Sequence, residues 1–237
     1  MASFLSQRAA QAFDAELMGR RGFTLDQLME LAGQAVAHAV DRAYGSLRGA
    51  AGGVLVVAGP GNNGGDGLVA SRHLRLLGWD NVAVVQPKRS TREPLYAKLV
   101  VQAEANDVRV AEGLPDADAP CPAVLIDAVF GFSFAGDVRP PFDDCLGRMR
   151  ALQRRGAKLV SVDVPSGWDV MLGGQAADAL QPDMLVSLTL PKEGVKGASF
   201  PDGHYVGGRF VPPAMARELD LTLPTYPGLD QIARIDE

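Results

Sequence analysis

Apolar residues fall into two rhythms along this chain. Over residues 24–44, Leu25, Leu28, Met29, Ala32, Val36 and Val40 recur every three or four positions. Thr24 precedes the run and Gln27 follows it by three, which predicts an amphipathic helix opened by a capping box. A weaker helical rhythm covers 7–18. From residue 54 onward short continuous apolar runs take over, at 54–58, 82–86, 108–110, 123–128, 158–162, 184–190 and 204–210. Helical segments are predicted at 68–77, 95–106, 142–154 and 213–219. Strands that are apolar throughout, rather than alternately, and that are separated by helices predict a parallel sheet covered on both faces. The stretches 113–122 and 194–203 read as loops rather than domain linkers, and the chain shows no internal repeat or low-complexity tract.

Between the first strand and its helix lies the most particular stretch, GPGNNGGDGL. Gly59, Gly61 and Gly64 fit G-x-G-x-x-G, the letter pattern of a dinucleotide turn, which sets backbone N–H groups against a phosphate. Asn62, Asn63 and Asp66 add side-chain oxygens that a phosphate does not want. Two features argue against an ordinary nicotinamide-dependent dehydrogenase. The acidic residue expected at the end of the next strand to hold a ribose hydroxyl is replaced by Gln86-Pro87-Lys88-Arg89. Asp66 would also sit close to the pyrophosphate, where like charges repel. The absence of a Lys after the last glycine excludes a nucleotide-triphosphate loop.

The 237 residues suit one α/β domain, and a formal charge of −5 leaves no basic footprint for nucleic acid. Cys121 and Cys145 have no metal-ligand spacing and read as buried or half-buried thiols of a reducing compartment. No apolar run reaches the ~20 residues that cross a bilayer, and the first residues lack a secretory signal. A cytoplasmic protein is expected, with an organelle not excluded.

In a doubly wound sheet, ligands bind outside the carboxyl ends of the strands. Asp127 ends one apolar run and Asp163 another, so both are expected at the rim that carries the Asn/Asp turn. A Phe-rich loop follows Asp127 and could cover a flat ring; a Pro-Ser-Gly turn follows Asp163 and could present Ser166. Paired carboxylates suit general acid–base work, and the Asn, Asp and Ser oxygens suit a hard cation. His38, His73 and His204 are too scattered for zinc and read as structural. Trp79 and Trp168 read as packing residues; Lys192 either approaches the rim after the run over 184–190 or, the favoured reading, is a solvated loop lysine. Lys88 and Arg89 serve either a ligand phosphate or solvent.

The strings GPGNNGGDGL, DAVFGFSFAGDVRPPF, SVDVPSGWDV, QPDMLVSLTLPK and HYVGGRFVPP, in this order, closely resemble the NAD(P)H-hydrate epimerases. Animal members are also called apolipoprotein A-I binding proteins. The helical start LSQRAAQAFDAELMGRRGFTLDQLMELAG is similar too, so the resemblance covers nearly the whole chain. It implies a Rossmann-like three-layer αβα sandwich with a mostly parallel central sheet and an N-terminal helical extension. The domain is expected over 1–237, with 1–50 as the helical part and 51–237 as the Rossmann-like core.

The resemblance also implies an isomerase of cofactor repair. Hydration of NADH or NADPH gives R and S epimers, NADHX and NADPHX, which the family interconverts, while a separate ATP- or ADP-dependent dehydratase consumes the S form. Family substrate positions match Asn62, Asn63, Gly64, Gly65, Asp66, Gly131, Phe132, Ser133, Phe134, Ala135, Gly136, Asp137 and Asp163. Potassium ligands match Asn63, Asp127 and Ser166, for one K+ per subunit. Ala135 stands where some relatives have Lys, and Gln86 where some have Tyr. Family members are usually homodimers; the helix over 24–44 serves either that interface or internal core.

The hydrated ring carbon bears a hydroxyl and a ring nitrogen. Inverting it takes loss and return of oxygen, or ring opening and reclosure, and both move protons. Asp163 and Asp127 are the expected catalytic pair, with Asp163 at the substrate and Asp127 at potassium. The rival reading is a binding module that kept the fold without the chemistry.

Overall fold

The computed structural model describes residues 2–90, 94–116, 118–174 and 179–235. Eight strands form one sheet: β1 (Val54–Ala58), β2 (Val82–Val85), β3 (Arg109–Ala111), β4 (Val124–Ala128), β5 (Lys158–Val162), β6 (Met184–Leu188), β7 (Gly203–Gly207) and β8 (Ile232–Arg234). Their order is β3-β2-β1-β4-β5-β6-β7-β8. Every neighbouring pair is parallel except β7 with β8 at the edge.

The helices are α1 (Gln7–Met18), α2 (Leu25–Tyr44), α3 (Asn62–Leu76), α4 (Pro94–Glu104), α5 (Phe142–Arg154) and α6 (Pro213–Glu218). Alternation along β1 explains the layers. Val54, Val56 and Ala58 join the core under α2, α3 and α4, whereas Leu55 and Val57 meet Cys145, Leu146 and Met149 of α5. Both faces are therefore buried, as the apolar strands require, and each fully buried Leu or Val contributes ~1.5–3 kcal/mol. The result is a Rossmann-like three-layer sandwich. At one end, Phe13 and Leu17 of α1 pack with Leu28 of α2 and Met215 of α6.

The capping box at Thr24 forms in both directions, with Gln27 N–H on Thr24 Oγ1 and Thr24 N–H on Gln27 Oε1. Several boundaries differ from the sequence expectation. Helix α3 starts at Asn62 rather than at residue 68, so the Asn/Gly stretch forms its first turns. Glycine disfavours a helix by ~1 kcal/mol per residue, but close packing overrides that here. A Cβ on Gly64 would collide with the Gly59 carbonyl. Strand β6 stops at Leu188 because Thr189 adopts φ +69°, and β7 stops at Gly207, before Gly208 at φ +90°. Strand β8 is three residues long, below what apolar patterning resolves.

Candidate active site

From β1 the chain winds to β2 and β3 on one side, and from β4 to β5, β6 and β7 on the other. The carboxyl ends of β1 and β4 thus flank the topological switch point, where such sheets bind ligands. A cavity of about 440 Å³ opens there. Asn62, Asn63 and Asp66 enter it from α3, Asp163 from the end of β5, and Thr189 and Lys192 from the end of β6. Helices α1 and α2 close it with Phe13, Asp14, Leu28 and Met29.

The N-cap of α3 is Gly61, which offers no side-chain acceptor, so the first-turn N–H groups are free for an anion. Tyr96 Oη donates to Asn62 Oδ1 at 2.6 Å and fixes that turn from α4. The loop after β4 is held at three points. Phe130 N–H donates to Ser166 Oγ (3.0 Å), Phe132 N–H donates to Asp163 Oδ2 (2.9 Å), and Gln7 Nε2 donates to the Phe132 carbonyl (2.8 Å). A Cβ on Gly131 would lie 3.2 Å from Asp163 Oδ2 and 3.3 Å from Asn63 Oδ1, so the bare glycine sits between these two side chains. Phe130 and Phe134 stack at 4.0 Å, with Phe132 and Phe134 facing the cavity.

Asp163 and Thr189 both have left-handed backbones, φ +68° and +69°, immediately beyond their strands. Such conformations are strained for residues with a Cβ, most of all for a β-branched one, and they concentrate at functional sites. The Asp163 carboxylate is ion-paired with Lys192, which also donates to the carbonyls of Leu188 (2.9 Å) and Leu190 (3.1 Å). Lys192 is 2% exposed. The favoured reading of Lys192 as a solvated loop lysine gives way to its alternative at the rim, where it is a buried counter-ion held by Asp163 and the carbonyls of Leu188 and Leu190.

Asp127 is 0% exposed and lies outside the cavity lining. Its oxygens accept from Ser161 Oγ (2.8 Å), Ser166 N–H (2.8 Å), Ser166 Oγ (2.6 Å) and Val129 N–H (3.2 Å). Burial raises its carboxyl above the usual range while these four bonds oppose the rise. Asp66 is 7% exposed and stands well above the usual carboxyl range, chiefly through burial and then through Asp163 and Asp14. Burial thus disfavours the charged form of Asp66 and weakens the like-charge objection to a pyrophosphate at this turn.

Asn63, Asp127 and Ser166 supply hard oxygens, the Asp127 carboxylate has no ion pair among the described residues, and the buried Asn63 Nδ2 has no partner. A buried carboxylate without a charged partner is suited to a monovalent cation, for which Asn63 would offer Oδ1, since its unpartnered Nδ2 is a donor and no ligand.

Of the expected substrate positions, Asn62, Asn63, Asp66, Gly131, Phe132, Ser133, Phe134 and Asp163 line one cavity. Gly64 and Gly65 are buried in α3, and Ala135, Gly136 and Asp137 are exposed beyond the lining. Lys88 and Arg89 are exposed at the end of β2, with Arg89 3.7 Å from Glu112. Trp79 and Trp168 are packed, donating to Asp41 Oδ1 (3.0 Å) and the Leu180 carbonyl (2.6 Å). His73 meets Glu30 and His204 meets Ser187, each at 2.8 Å, consistent with structural roles. Asp14 was missed, although its signal was legible: with Ala10, Phe13 and Leu17 it occupies the i+4 place in the apolar stripe of α1.

Residues 25–194 match the family described as YjeF-related protein N-terminus. The chain belongs to that family. Among YjeF-related relatives, an NAD(P)H-hydrate epimerase of Puccinia graminis is 45% identical over 98% of this chain and 94% of its own. One of Caenorhabditis elegans is 42% identical over 99% of this chain and 96% of its own. Pyridoxine/pyridoxamine 5'-phosphate oxidase 1, chloroplastic, of Arabidopsis thaliana is 46% identical over 98% of this chain, which spans 44% of that protein. The crystal structure of yeast YNL200c superposes with a TM-score of 0.89 at 42% identity, covering 98% of this chain and 100% of the yeast one. Among the described residues, no helix of this YjeF-related chain is long and apolar enough to cross a membrane.

Proposed function

We propose that this protein is an NAD(P)H-hydrate epimerase, an isomerase that interconverts the R and S epimers of hydrated NADH and NADPH. One observation carries the reading: at the switch point, the uncapped start of α3 stands in the same cavity as a buried carboxylate held by Lys192. The 42–45% identity to two epimerases over nearly their whole lengths supports it.

In this reading the first-turn N–H groups of α3 bind the pyrophosphate, with Asn62, Asn63, Gly64, Gly65 and Asp66 forming the cradle. Phe132 and Phe134 offer apolar faces to the damaged ring, and the loop through Gly131, Ser133, Ala135, Gly136 and Asp137 binds the remainder of the substrate. Asp163, held by Lys192 and by Phe132 N–H, takes the proton from the hydroxyl on the ring carbon. Asp127 acts from beneath the cavity: with Asn63 and Ser166 it holds one K+, which when bound supplies a fixed positive charge. The protein works as a homodimer beside a separate ATP- or ADP-dependent dehydratase that removes the S epimer.

Chromatography of hydrated NADPH tests the assignment. The purified protein is expected to drive an S-enriched sample to the equilibrium S-to-R ratio far faster than buffer. Asp163→Asn, a residue that tolerates φ > 0, leaves Lys192 without its carboxylate and so loses stability, but where circular dichroism shows it folded it should slow exchange ~100-fold or more. Exchange no faster than buffer, or wild-type exchange by Asp163→Asn, overturns it.

A further inference from the structure

The cavity holds more carboxyl groups than the steps above use. Asp14, Asp66 and Asp163 all line it, and among the described residues Lys192 is the sole cation in that lining. The three ammonium protons of Lys192 are already committed to Asp163, Leu188 and Leu190. Among the described residues, Asp14 and Asp66 have no hydrogen-bond or ion-pair partner, although Asp66 is more than nine-tenths buried.

Helix α1 is also fastened to the site rather than merely near it. Leu5 pairs with the segment beside Lys192, its N–H on the Pro191 carbonyl (2.8 Å) and its carbonyl accepting from Glu193 N–H (3.0 Å). Ser6 caps the helix, and Gln7 holds the Phe132 carbonyl. Phe13 and Leu17 are buried on the same stripe as Asp14. These contacts set the Asp14 carboxyl at the cavity wall from a segment that precedes the family match at residue 25.

We propose that Asp14 is the acid that works opposite Asp163 in the epimerisation, so that the N-terminal helix completes the active site. The inference rests on the epimerase reading. In the ring-opening route, Asp163 takes the hydroxyl proton, the ring C–N bond breaks with its electron pair passing to nitrogen, and Asp14 gives that nitrogen a proton. Reclosure on the other face of the carbonyl reverses both transfers, so no atom or charge is gained or lost. In the water-loss route, Asp14 protonates the hydroxyl, the C–O bond breaks and water leaves. Water then adds to the other face and gives its proton to Asp163, and solvent returns the two carboxyls to their starting states. Either route needs one group that gives while another takes.

The charges facing Asp14 fit this division. Lys192 and Asp163 approach from beyond β6 and β5 and Asp66 from α3, while α2 contributes apolar side chains. Burial raises the Asp14 carboxyl to about 6, with Lys192 opposing and Asp163 adding to the rise. That value leaves a proton available near neutrality, as general acid catalysis needs.

The test is the pH profile of epimer exchange by the full-length protein, from pH 5 to 8, with the spontaneous rate subtracted. Wild-type exchange is expected to fall as pH rises past about 6. Asp14→Asn should lose that limb and run ~100-fold or more slower, while Asp14→Glu retains a limb at a shifted position. Asp14→Asn running within threefold of wild type, with the limb in place, overturns the proposal. If Asp14→Asn does not fold, Asp14→Glu decides: a displaced limb supports the assignment and an unmoved one overturns it. No exchange by the wild type at any pH defeats the epimerase reading itself, an outcome distinct from the failure of Asp14 alone.

Discussion

Replacing Lys192 by Met keeps a chain of similar reach but removes the ammonium that meets Asp163. The structure sets the magnitude. The Asp163 carboxylate is buried and would retain the Phe132 N–H as its hydrogen-bond donor. The carbonyls of Leu188 and Leu190 would lose the donor they share at 2.9 and 3.1 Å. Removing one partner of a buried pair costs about 3–5 kcal/mol, mostly because the other charge is left uncompensated. Against the ~5–15 kcal/mol of a typical domain this is a large share. Urea unfolding followed by fluorescence of the buried Trp79 and Trp168 measures it, with an unchanged m-value showing that stability alone has moved. Adding Asp163→Asn to Lys192→Met removes the orphaned charge and should recover much of the loss, a coupling read from the double-mutant cycle. A Lys192→Met variant within ~1 kcal/mol of wild type, or a double variant with additive losses, would refute the buried-pair account.

Two further outcomes follow from the same charges. Asp66 is raised in the folded state, so its contribution to stability is full below its unfolded value of 3.8 and is lost as pH climbs toward its raised folded value. Asp66→Asn should therefore gain on wild type as pH rises from 4 to 8; a difference that stays flat with pH contradicts the burial argument. An ion that binds only the folded state stabilises by RT ln(1 + [L]/Kd), about 2.7 kcal/mol at a hundredfold excess over Kd, and ~2–4 °C of Tm accompanies each kcal/mol at this chain length. Melting in KCl should thus exceed melting in NaCl of equal strength for wild type but not for Asp127→Asn, and identical curves for wild type dismiss the potassium assignment.

Much of the fold was legible because its determinants are local. The rhythm of Leu25 to Val40 and the Thr24–Gln27 pair specify α2 without reference to anything distant, and the wholly apolar β1, β4 and β5 announce a sheet buried on both faces. The Asn/Asp turn and the carboxylate ending β5 were likewise visible as chemistry at strand ends, since a parallel sheet sends those ends to one rim. The start of α3 was not, because its glycines oppose a helix locally and are admitted by the tight approach to Gly59. Nor could spacing separate Asp127 from Asp163. Both end strands, yet one is wrapped by Ser161 and Ser166 beneath the cavity while the other faces into it with Lys192. Charge state and partnership depend on which groups, far apart in sequence, share one low-dielectric space. Chain order brings Asp14, Asp66, Asp163 and Lys192 no closer than their numbers, and packing α1 across the ends of β5 and β6 makes them neighbours.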